Sequence, residues 1–405
     1  MKKTILNLVT VFMILLLCSC GQQGETVDNP TNNTTDTTAE TNNSEATQSV
    51  SVPEENGEMS VSQDEDEIIS VEQAFTAVLL NEMPIFCTQK MRYQNKDVIY
   101  DNEYTDFLNN LPNLSNGNNE NMIISRFAIV DMDGDTVPEI VLETEDDDGY
   151  LNGYCILRYR QGEVWGNAIS SRSLENLRED GTHMGDAGAG DIWIEKLYFI
   201  NDTFARDEIA HMEEGYSYGN YTFHDIKVDK SVWDDIESSF YETKEAEWHE
   251  FTEETINEWV TENPLFTNIS IEAVAEINGR QSYLDSLYYL IELTFDCSLN
   301  EQENPEQYRA DAKSYYEGCE EEMNRIYELC MEKLSGQDLE KFQAEQQQWQ
   351  VEINLKMLDD LNDSYYNSIE ALTEKASSLY FECGDRLFRR TLYLINFYYD
   401  SEFYD

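Results

Sequence analysis

One nine-residue segment of the chain concentrates the oxygen donors that a hard metal ion requires. The segment runs Asp131-Met132-Asp133-Gly134-Asp135-Thr136-Val137-Pro138-Glu139 between two apolar stretches. Its donors are the carboxylates at positions 1, 3, 5 and 9 and the backbone carbonyl at position 7, which belong to Asp131, Asp133, Asp135, Glu139 and Val137. Calcium prefers several oxygen ligands held around a tight turn. The pattern therefore predicts a Ca2+ site, and a solvated acidic hairpin that holds no metal is the alternative.

Residues typical of enzyme active sites are sparse in the sequence. The four histidines have no spacing that suggests a shared metal or a catalytic pair, and they are His183, His211, His224 and His249. The segment that starts at His249 lacks the second histidine of a zinc hydrolase helix. We therefore expect a protein that is not an enzyme. The alternative is a glycosidase whose catalytic carboxylate pair lies among the 82 acidic residues, where sequence alone does not identify it.

The N-terminus resembles a bacterial lipoprotein signal. Lys2 and Lys3 precede an apolar run of residues 5–17, which is too short to span a bilayer stably. The next residues, Leu17-Cys18-Ser19-Cys20, are similar to a lipobox, which implies removal of signal residues 1–19 and acylation of Cys20, for example with palmitate. An ordinary secretory peptide is the alternative. We expect a protein anchored to the cell membrane by its lipid and facing the extracellular side, with a Gram-positive host favoured.

The chain is strongly acidic, with 82 Asp and Glu against 26 Lys and Arg and a formal net charge of -56 at pH 7. This charge argues against binding to nucleic acid and against attraction to anionic headgroups, so we expect membrane contact through the lipid anchor only. It favours cations as partners, either calcium ions or basic proteins steered in from solution. The alternative is that acidity only keeps a surface protein soluble.

Composition and periodicity divide the chain into regions. Residues 20–67 predict a disordered acidic tether rich in Thr and Asn, because they bury too little apolar surface to fold. Residues 68–265 predict one α+β domain, mostly antiparallel β with flanking helices, and residues 266–304 predict a helical connector. The predicted helices cover residues 71–80 after a Ser70 cap, 104–111, 231–240, 252–260 and 282–295. The predicted strands cover residues 127–130, 139–144, 154–159, 163–170 and 192–200.

Three apolar runs with heptad spacing lie in residues 305–405. They are Tyr316, Cys319, Met323, Ile326 and Cys330, then Leu339, Phe342, Gln346, Trp349 and Ile353, and then Ile369, Leu372, Ala376, Leu379 and Cys383. Steps of three and four residues place each set on one face of a helix. Short connections between the runs then predict an all-α antiparallel three-helix bundle.

The six cysteines that follow Cys20 leave two interpretations open. They are Cys87, Cys155, Cys297, Cys319, Cys330 and Cys383. An exported protein can form disulfides, and buried free thiols are the alternative. Cys319 and Cys330 lie about 16 Å apart on one predicted helix, at 1.5 Å per residue, so they cannot bond to each other.

The apolar stretches around the acidic segment are similar to a known family. Phe127-Ala128-Ile129-Val130 and Ile140-Val141-Leu142 resemble the strands of the FG-GAP/VCBS calcium loop of bacterial surface proteins. An EF-hand differs, since its position 12 is Glu where this chain has Leu142. The resemblance departs at Thr136, where such loops usually place Gly. Residues 75–82, 174–181 and 194–199 also resemble an ectodomain of lipoproteins from gut Gram-positive bacteria, which implies architecture and location but no activity.

The helical end resembles a second family. Met323-Asn324-Arg325-Ile326-Tyr327, Gln346-x-x-Trp349 and Arg390-Thr391-x-x-Leu394 are similar to landmarks of the LprI-type lysozyme-inhibitor-like domain, over about residues 308–399. The resemblance departs at Ile353, where the family usually has Arg. It implies a structural or binding role for Asn324, Tyr327, Gln346, Trp349, Arg390 and Thr391.

Core packing is the ordinary role for residues on a heptad face, and direct contact with lysozyme is the alternative. A buried Gln346 needs a hydrogen-bond partner, for which Tyr327 and Asn324 are the candidates. The sequence further predicts that Arg389 and Arg390 pair with nearby acids. Burial of these residues is expected if the motif supports the fold, and exposure is expected if the motif contacts a partner.

Together these features predict a membrane-anchored extracytoplasmic lipoprotein that acts as a non-catalytic protein-binding module, with lysozyme inhibition as one candidate activity. The alternative function is a glycan- or cell-wall-binding surface adhesin that uses the α+β domain. A third hypothesis is a structural role in the envelope without a soluble ligand.

Overall fold

The computed structural model describes residues 70–399 except for 94–95, 105–121, 147, 161, 189, 202, 215–218, 268–270 and 363–368. The predicted signal, the predicted tether and Cys20 lie outside the described residues, as does the predicted helix over 104–111 beyond Tyr104. No helix among the described residues is both long and apolar enough to cross a bilayer.

The first part of the described chain is rich in strands. Its elements are helix α1 (Val71–Leu79), strands β1 (Ile85–Tyr93), β2 (Lys96–Tyr104), β3 (Ile123–Val130), β4 (Glu139–Glu145), β5 (Leu151–Arg160), β6 (Glu163–Ser170), β7 (His183–Gly188), β8 (Asp191–Ile200), β9 (Thr203–Glu214), β10 (Gly219–Phe223) and β11 (Ile226–Lys227), helix α2 (Lys230–Glu242), strand β12 (Trp248–Glu250) and helices α3 (Glu253–Glu262) and α4 (Pro264–Thr267). Helix α1 begins with a capping box, in which Ser70 accepts from the Gln73 backbone and the Gln73 side chain accepts from the Ser70 backbone.

The strands form two sheets. The first has seven strands in the order β12-β3-β4-β5-β6-β1-β2, and its neighbours are antiparallel except for the parallel pair β1 and β6. The second has five antiparallel strands in the order β11-β10-β9-β8-β7. Hairpins between consecutive strands build most of both sheets.

Both faces of the first sheet are buried, and residues alternate between them. Along β3, Phe127 and Ile129 pack with α1 and α3, while Ala128 and Val130 pack with Leu197 of the second sheet. Strands covered on both faces appear in sequence as continuous apolar runs. That arrangement explains why residues 127–130 and 139–142 carry so few polar side chains.

The C-terminal region is helical. It consists of α5 (Ile271–Ser286), α6 (Tyr288–Glu303), α7 (Pro305–Lys333), α8 (Gly336–Asn362) and α9 (Ile369–Tyr399). One core joins its helices to the second sheet, and it includes Leu284, Leu290, Cys319, Met323, Ile326, Phe342, Trp349, Ile353, Leu387 and Leu392 together with Tyr198, Ile200 and Ala205. The helices therefore cover one side of the second sheet, and α2 covers another part of it through Trp233 and Phe240.

A β-rich, mostly antiparallel region followed by a helical region was predicted from the sequence and is confirmed at this level. The five predicted strands correspond to β3, β4, β5, β6 and β8. The prediction of one helix over 282–295 is wrong, because the chain breaks at Leu287 between α5 and α6. Strands β1, β2, β7, β9, β10, β11 and β12 were not predicted.

Three of the cysteines are buried thiols. Cys297, Cys319 and Cys330 form no disulfides in the described part of the chain. Burial raises the pKa of Cys297 and of Cys330 to about 12 and raises that of Cys319 well above its usual value. Thiols held in this protonated form are poor nucleophiles, so these three act as small apolar core residues.

Candidate metal site

The acidic segment forms the turn between β3 and β4. Val130 and Glu139 are paired across the two strands, so the turn closes with its first and last carboxylates near each other. Residues 131–138 make up the turn itself. The buried hairpin thus fixes both ends of the segment that the sequence identified.

Backbone amides fold the turn around the side chain of Asp131. Its Oδ1 accepts from the N–H of Gly134 at 2.8 Å and from that of Asp135 at 3.0 Å, and its Oδ2 accepts from Thr136 N–H at 2.9 Å. At the far end, Glu139 Oε2 accepts from Met132 N–H at 2.9 Å. These bonds hold the carboxylates on the inner side of the turn.

Two residues of the turn adopt left-handed backbone conformations. Gly134 has φ of 78° and Thr136 has φ of 71°. Glycine adopts this region freely, whereas a β-branched residue is strained there by about 1–2 kcal/mol. Thr136, at the position where FG-GAP/VCBS loops usually place Gly, therefore adopts a backbone conformation that is less favourable for threonine than for glycine.

Three of the five predicted ligands converge. One oxygen from each of Asp131, Asp133 and Glu139 lies within 4.8 Å of the other two. Asp133 and Glu139 are each only 1% exposed. Asp135 is not part of this group, and its Oδ1 accepts a hydrogen bond from the Val137 N–H at 2.7 Å. The assembled group is thus a buried carboxylate trio.

The trio is unfavourable as a set of bare anions. Burial, followed by the negative charge of Asp133, raises the pKa of Asp131, and the same two causes raise the pKa values of Asp135 and Glu139 well above their usual range. A cation among the three oxygens would relieve this repulsion. The donors are all hard oxygens, which suit Ca2+ and not a softer metal. The residues present therefore fit the predicted ion.

The predicted motif residues of the helical region lie mostly in its core. Trp349 and Gln346 are 1% and 5% exposed, and Arg390 and Thr391 are 2% and 0% exposed. Arg390 Nε donates to Gln346 Oε1 at 2.9 Å, and Gln346 Nε2 contacts Met323 Sδ at 3.4 Å. The partner of Gln346 is therefore Arg390 and not Tyr327 or Asn324 as expected. Sequence reasoning missed it because 44 residues separate the pair.

The remaining motif residues have local roles. Thr391 Oγ1 donates to Leu387 O at 2.8 Å within α9. The Tyr327 ring stacks on Phe342 with centroids 5.3 Å apart, whereas Asn324 is exposed on α7. The predicted acidic partners of the two arginines are confirmed, since Arg390 pairs with Glu345 at 2.9 Å and Arg389 with Asp225 at 2.8 Å.

A narrow polar crevice between the second sheet and the helices was not predicted. It is lined by Asp207, Glu208, His224, Asp225, Trp349, Arg389, Arg390 and Tyr393. His224 and Asp225 form the two-residue turn between β10 and β11, with φ of 45° and 65°. Burial, followed by the charge of Arg390, lowers the pKa of His224 to about 4. The ion pair from Arg389 fastens this strained turn to α9.

A literal Gly-x-Ser-x-Gly string occupies residues 215–219. The elements on either side of it are the antiparallel strands β9 and β10. A nucleophile elbow instead joins a strand to a helix. The string therefore lacks the context that would make its serine a candidate nucleophile.

Comparisons with protein families, with curated proteins and with solved structures find no match for this chain.

Proposed function

We propose that this protein is a non-catalytic, calcium-binding protein of the cell surface, anchored by a lipid on Cys20. The main observation in support of calcium binding is that one carboxylate oxygen from each of Asp131, Asp133 and Glu139 lies within 4.8 Å of the other two in a buried turn. The similarity of the flanking strands to FG-GAP/VCBS loops and the lipobox at Leu17-Cys18-Ser19-Cys20 support the same proposal.

Calcium would act on the fold through the β3–β4 turn. The ion supplies two positive charges to a group of carboxylates that burial makes costly to ionise together. Asp135 and the Val137 carbonyl, which the sequence also predicts as ligands, remain proposed further donors. An ion that binds the folded state alone stabilises it by about 2.7 kcal/mol at a concentration one hundred times its dissociation constant.

A calcium titration of the mature chain without its lipid, residues 21–405, tests this proposal. We expect saturable heat release in calorimetry and a rise in the unfolding temperature that a chelator reverses. Glu139→Gln should lose both effects. Asp235→Asn removes one charge from an exposed position on α2 and should keep both. Equal loss in the two variants, or no calcium-dependent change in the parent chain, would contradict the proposal.

We further propose that the three long helices α7, α8 and α9 form a three-helix bundle that binds a basic protein, with lysozyme as the first candidate. The net charge of -56 supports a basic partner, because opposite charge steers association. The LprI-type motif would support the bundle from inside, since Trp349 and Arg390 are buried. Partner contacts would then come from exposed acids such as Glu317 and Glu328 on α7.

Titration of residues 21–405 against lysozyme at several salt concentrations tests the bundle proposal. The control is an unrelated protein of similar negative charge. Saturable binding well above the control, with loss of lytic activity, is the expected result. Binding equal to the control would show that charge alone attracts lysozyme, and the lysozyme-inhibitor proposal would then be abandoned.

A further inference from the structure

Arg280 reaches the acidic turn from the helical region. Its side chain lies on α5 and is only 6% exposed. Nη2 donates to the Asp133 carbonyl at 2.7 Å and to Asn396 Oδ1 on α9 at 3.0 Å. Nη1 lies 3.8 Å from Asp133 Oδ1, and this buried atom has no hydrogen-bond partner among the described residues. One guanidinium therefore joins the proposed metal turn to two helices.

Arg280 is isolated from other basic residues in the sequence. Arg280 is the only Lys or Arg between Lys244 and Arg309. Its guanidinium lies 5.3 Å from the ring centre of Tyr198 on β8, and the Tyr198 hydroxyl accepts a hydrogen bond from Asn396. The contacts made by Arg280 thus connect the turn, the second sheet and the last helix.

We propose that Arg280 is a built-in competitor of the calcium ion at Asp133, so that cation binding at the turn and docking of α5 and α9 oppose each other. This inference rests on the calcium-binding function proposed above. Docked helices would lower the affinity of the turn for Ca2+. Bound Ca2+ would weaken the contact of Arg280 with the turn.

The competition follows from charge and position. Arginine keeps its proton under all physiological conditions, so its charge is a permanent feature of the site. A buried positive charge beside a ligand carboxylate repels an incoming divalent ion more strongly than the same charge in water would. Coupling between two sites is reciprocal. The free energy by which the docked arginine weakens metal binding therefore equals the free energy by which the bound metal weakens helix docking.

Two substitutions at position 280 separate charge from packing. Arg280→Met keeps a long apolar side chain and removes the charge, while Arg280→Lys keeps the charge. In calorimetric titration of residues 21–405 with CaCl2, we expect Arg280→Met to bind at least tenfold more tightly than the parent chain. Arg280→Lys should stay within about threefold of it. Equal or weaker binding by Arg280→Met would overturn the competition.

A measurement on the parent chain keeps the inference testable if a variant does not fold. Calcium should speed amide hydrogen exchange in residues 279–286 relative to exchange in β3 and β4. A constant or slower relative exchange would overturn the inference. If neither the parent chain nor Arg280→Met binds Ca2+, the proposed calcium function fails and this inference fails with it. Equal Ca2+ binding by the parent chain and by Arg280→Met overturns the role of Arg280 and leaves the calcium function standing.

Discussion

Asp207 is a buried carboxylate at the boundary between the second sheet and the helices. It lies on β9, is 4% exposed, and its Oδ1 has no hydrogen-bond partner among the described residues. Lys196 on β8 is the residue paired with Asp207 across the two strands. Glu208, Asp225 and Arg389 line the crevice together with Asp207. Burial raises the pKa of Asp207 to about 7; the charge of Arg389 opposes the rise, and the charges of Asp225 and Glu208 add to it.

This pKa makes Asp207 a source of pH-dependent stability. A carboxyl that holds its proton more tightly in the fold than in the unfolded chain, where its pKa is 3.8, favours the fold at low pH. The favourable effect is lost as pH rises from about 4 through 7. The difference of about three pKa units is worth about 4 kcal/mol at 1.36 kcal/mol per unit. Asp207→Asn, which cannot ionise, should remove this dependence.

Urea unfolding of the parent chain and of Asp207→Asn at pH 4, 6 and 8 measures the effect. The variant should gain stability over the parent as pH rises, by about 3–4 kcal/mol between pH 4 and pH 8. Other titrating groups are common to both chains and cancel in the difference. Asp235→Asn, at an exposed position, serves as the control and should show a gap that does not change with pH. A constant gap for Asp207→Asn would refute the reasoning.

Two further substitutions test the packing of the helices and of the turn. Arg390→Met should destabilise the fold by about 2–3 kcal/mol in urea unfolding, because it leaves the Gln346 amide oxygen buried without its donor; a smaller loss than 1 kcal/mol would contradict this role. Gly181→Ala should cost about 1–3 kcal/mol more than Gly149→Ala. Both glycines have positive φ, but only at Gly181 would a new Cβ meet another group, the Met132 carbonyl at 2.3 Å. Equal costs would refute the close contact.

The acidic turn between β3 and β4 was largely predictable because its information is local. Carboxylates spaced within nine residues between two apolar strands need only one hairpin to meet, and three of the five predicted ligands do meet. Asp135 lies outside the converging trio, and its Oδ1 accepts a hydrogen bond from the Val137 N–H. Spacing thus identifies the residues of a turn, but competition between backbone and metal for each carboxylate depends on the turn's conformation.

Strand β9 was not predicted because its buried residues are two alanines and an aspartate, and none of them is a large apolar residue. Its buried positions are Ala205, Asp207 and Ala210, and a charged residue in the middle breaks the alternation that predicts a half-buried strand. Asp207 faces the crevice where Arg389 of α9 lies, more than 180 residues later in the chain. Periodicity within a segment contains no information on a partner that distant.

The distribution of arginines unites the unpredicted features. The chain has only 26 Lys and Arg, yet Arg158, Arg178, Arg280 and Arg390 are each at most 6% exposed. Arginine suits such positions because its planar, permanently charged fork binds carboxylates and carbonyls at once. Each buried arginine also leaves one positive charge fewer on the surface, which keeps the exterior acidic. The buried arginines therefore join parts of the fold and at the same time keep positive charge away from the surface.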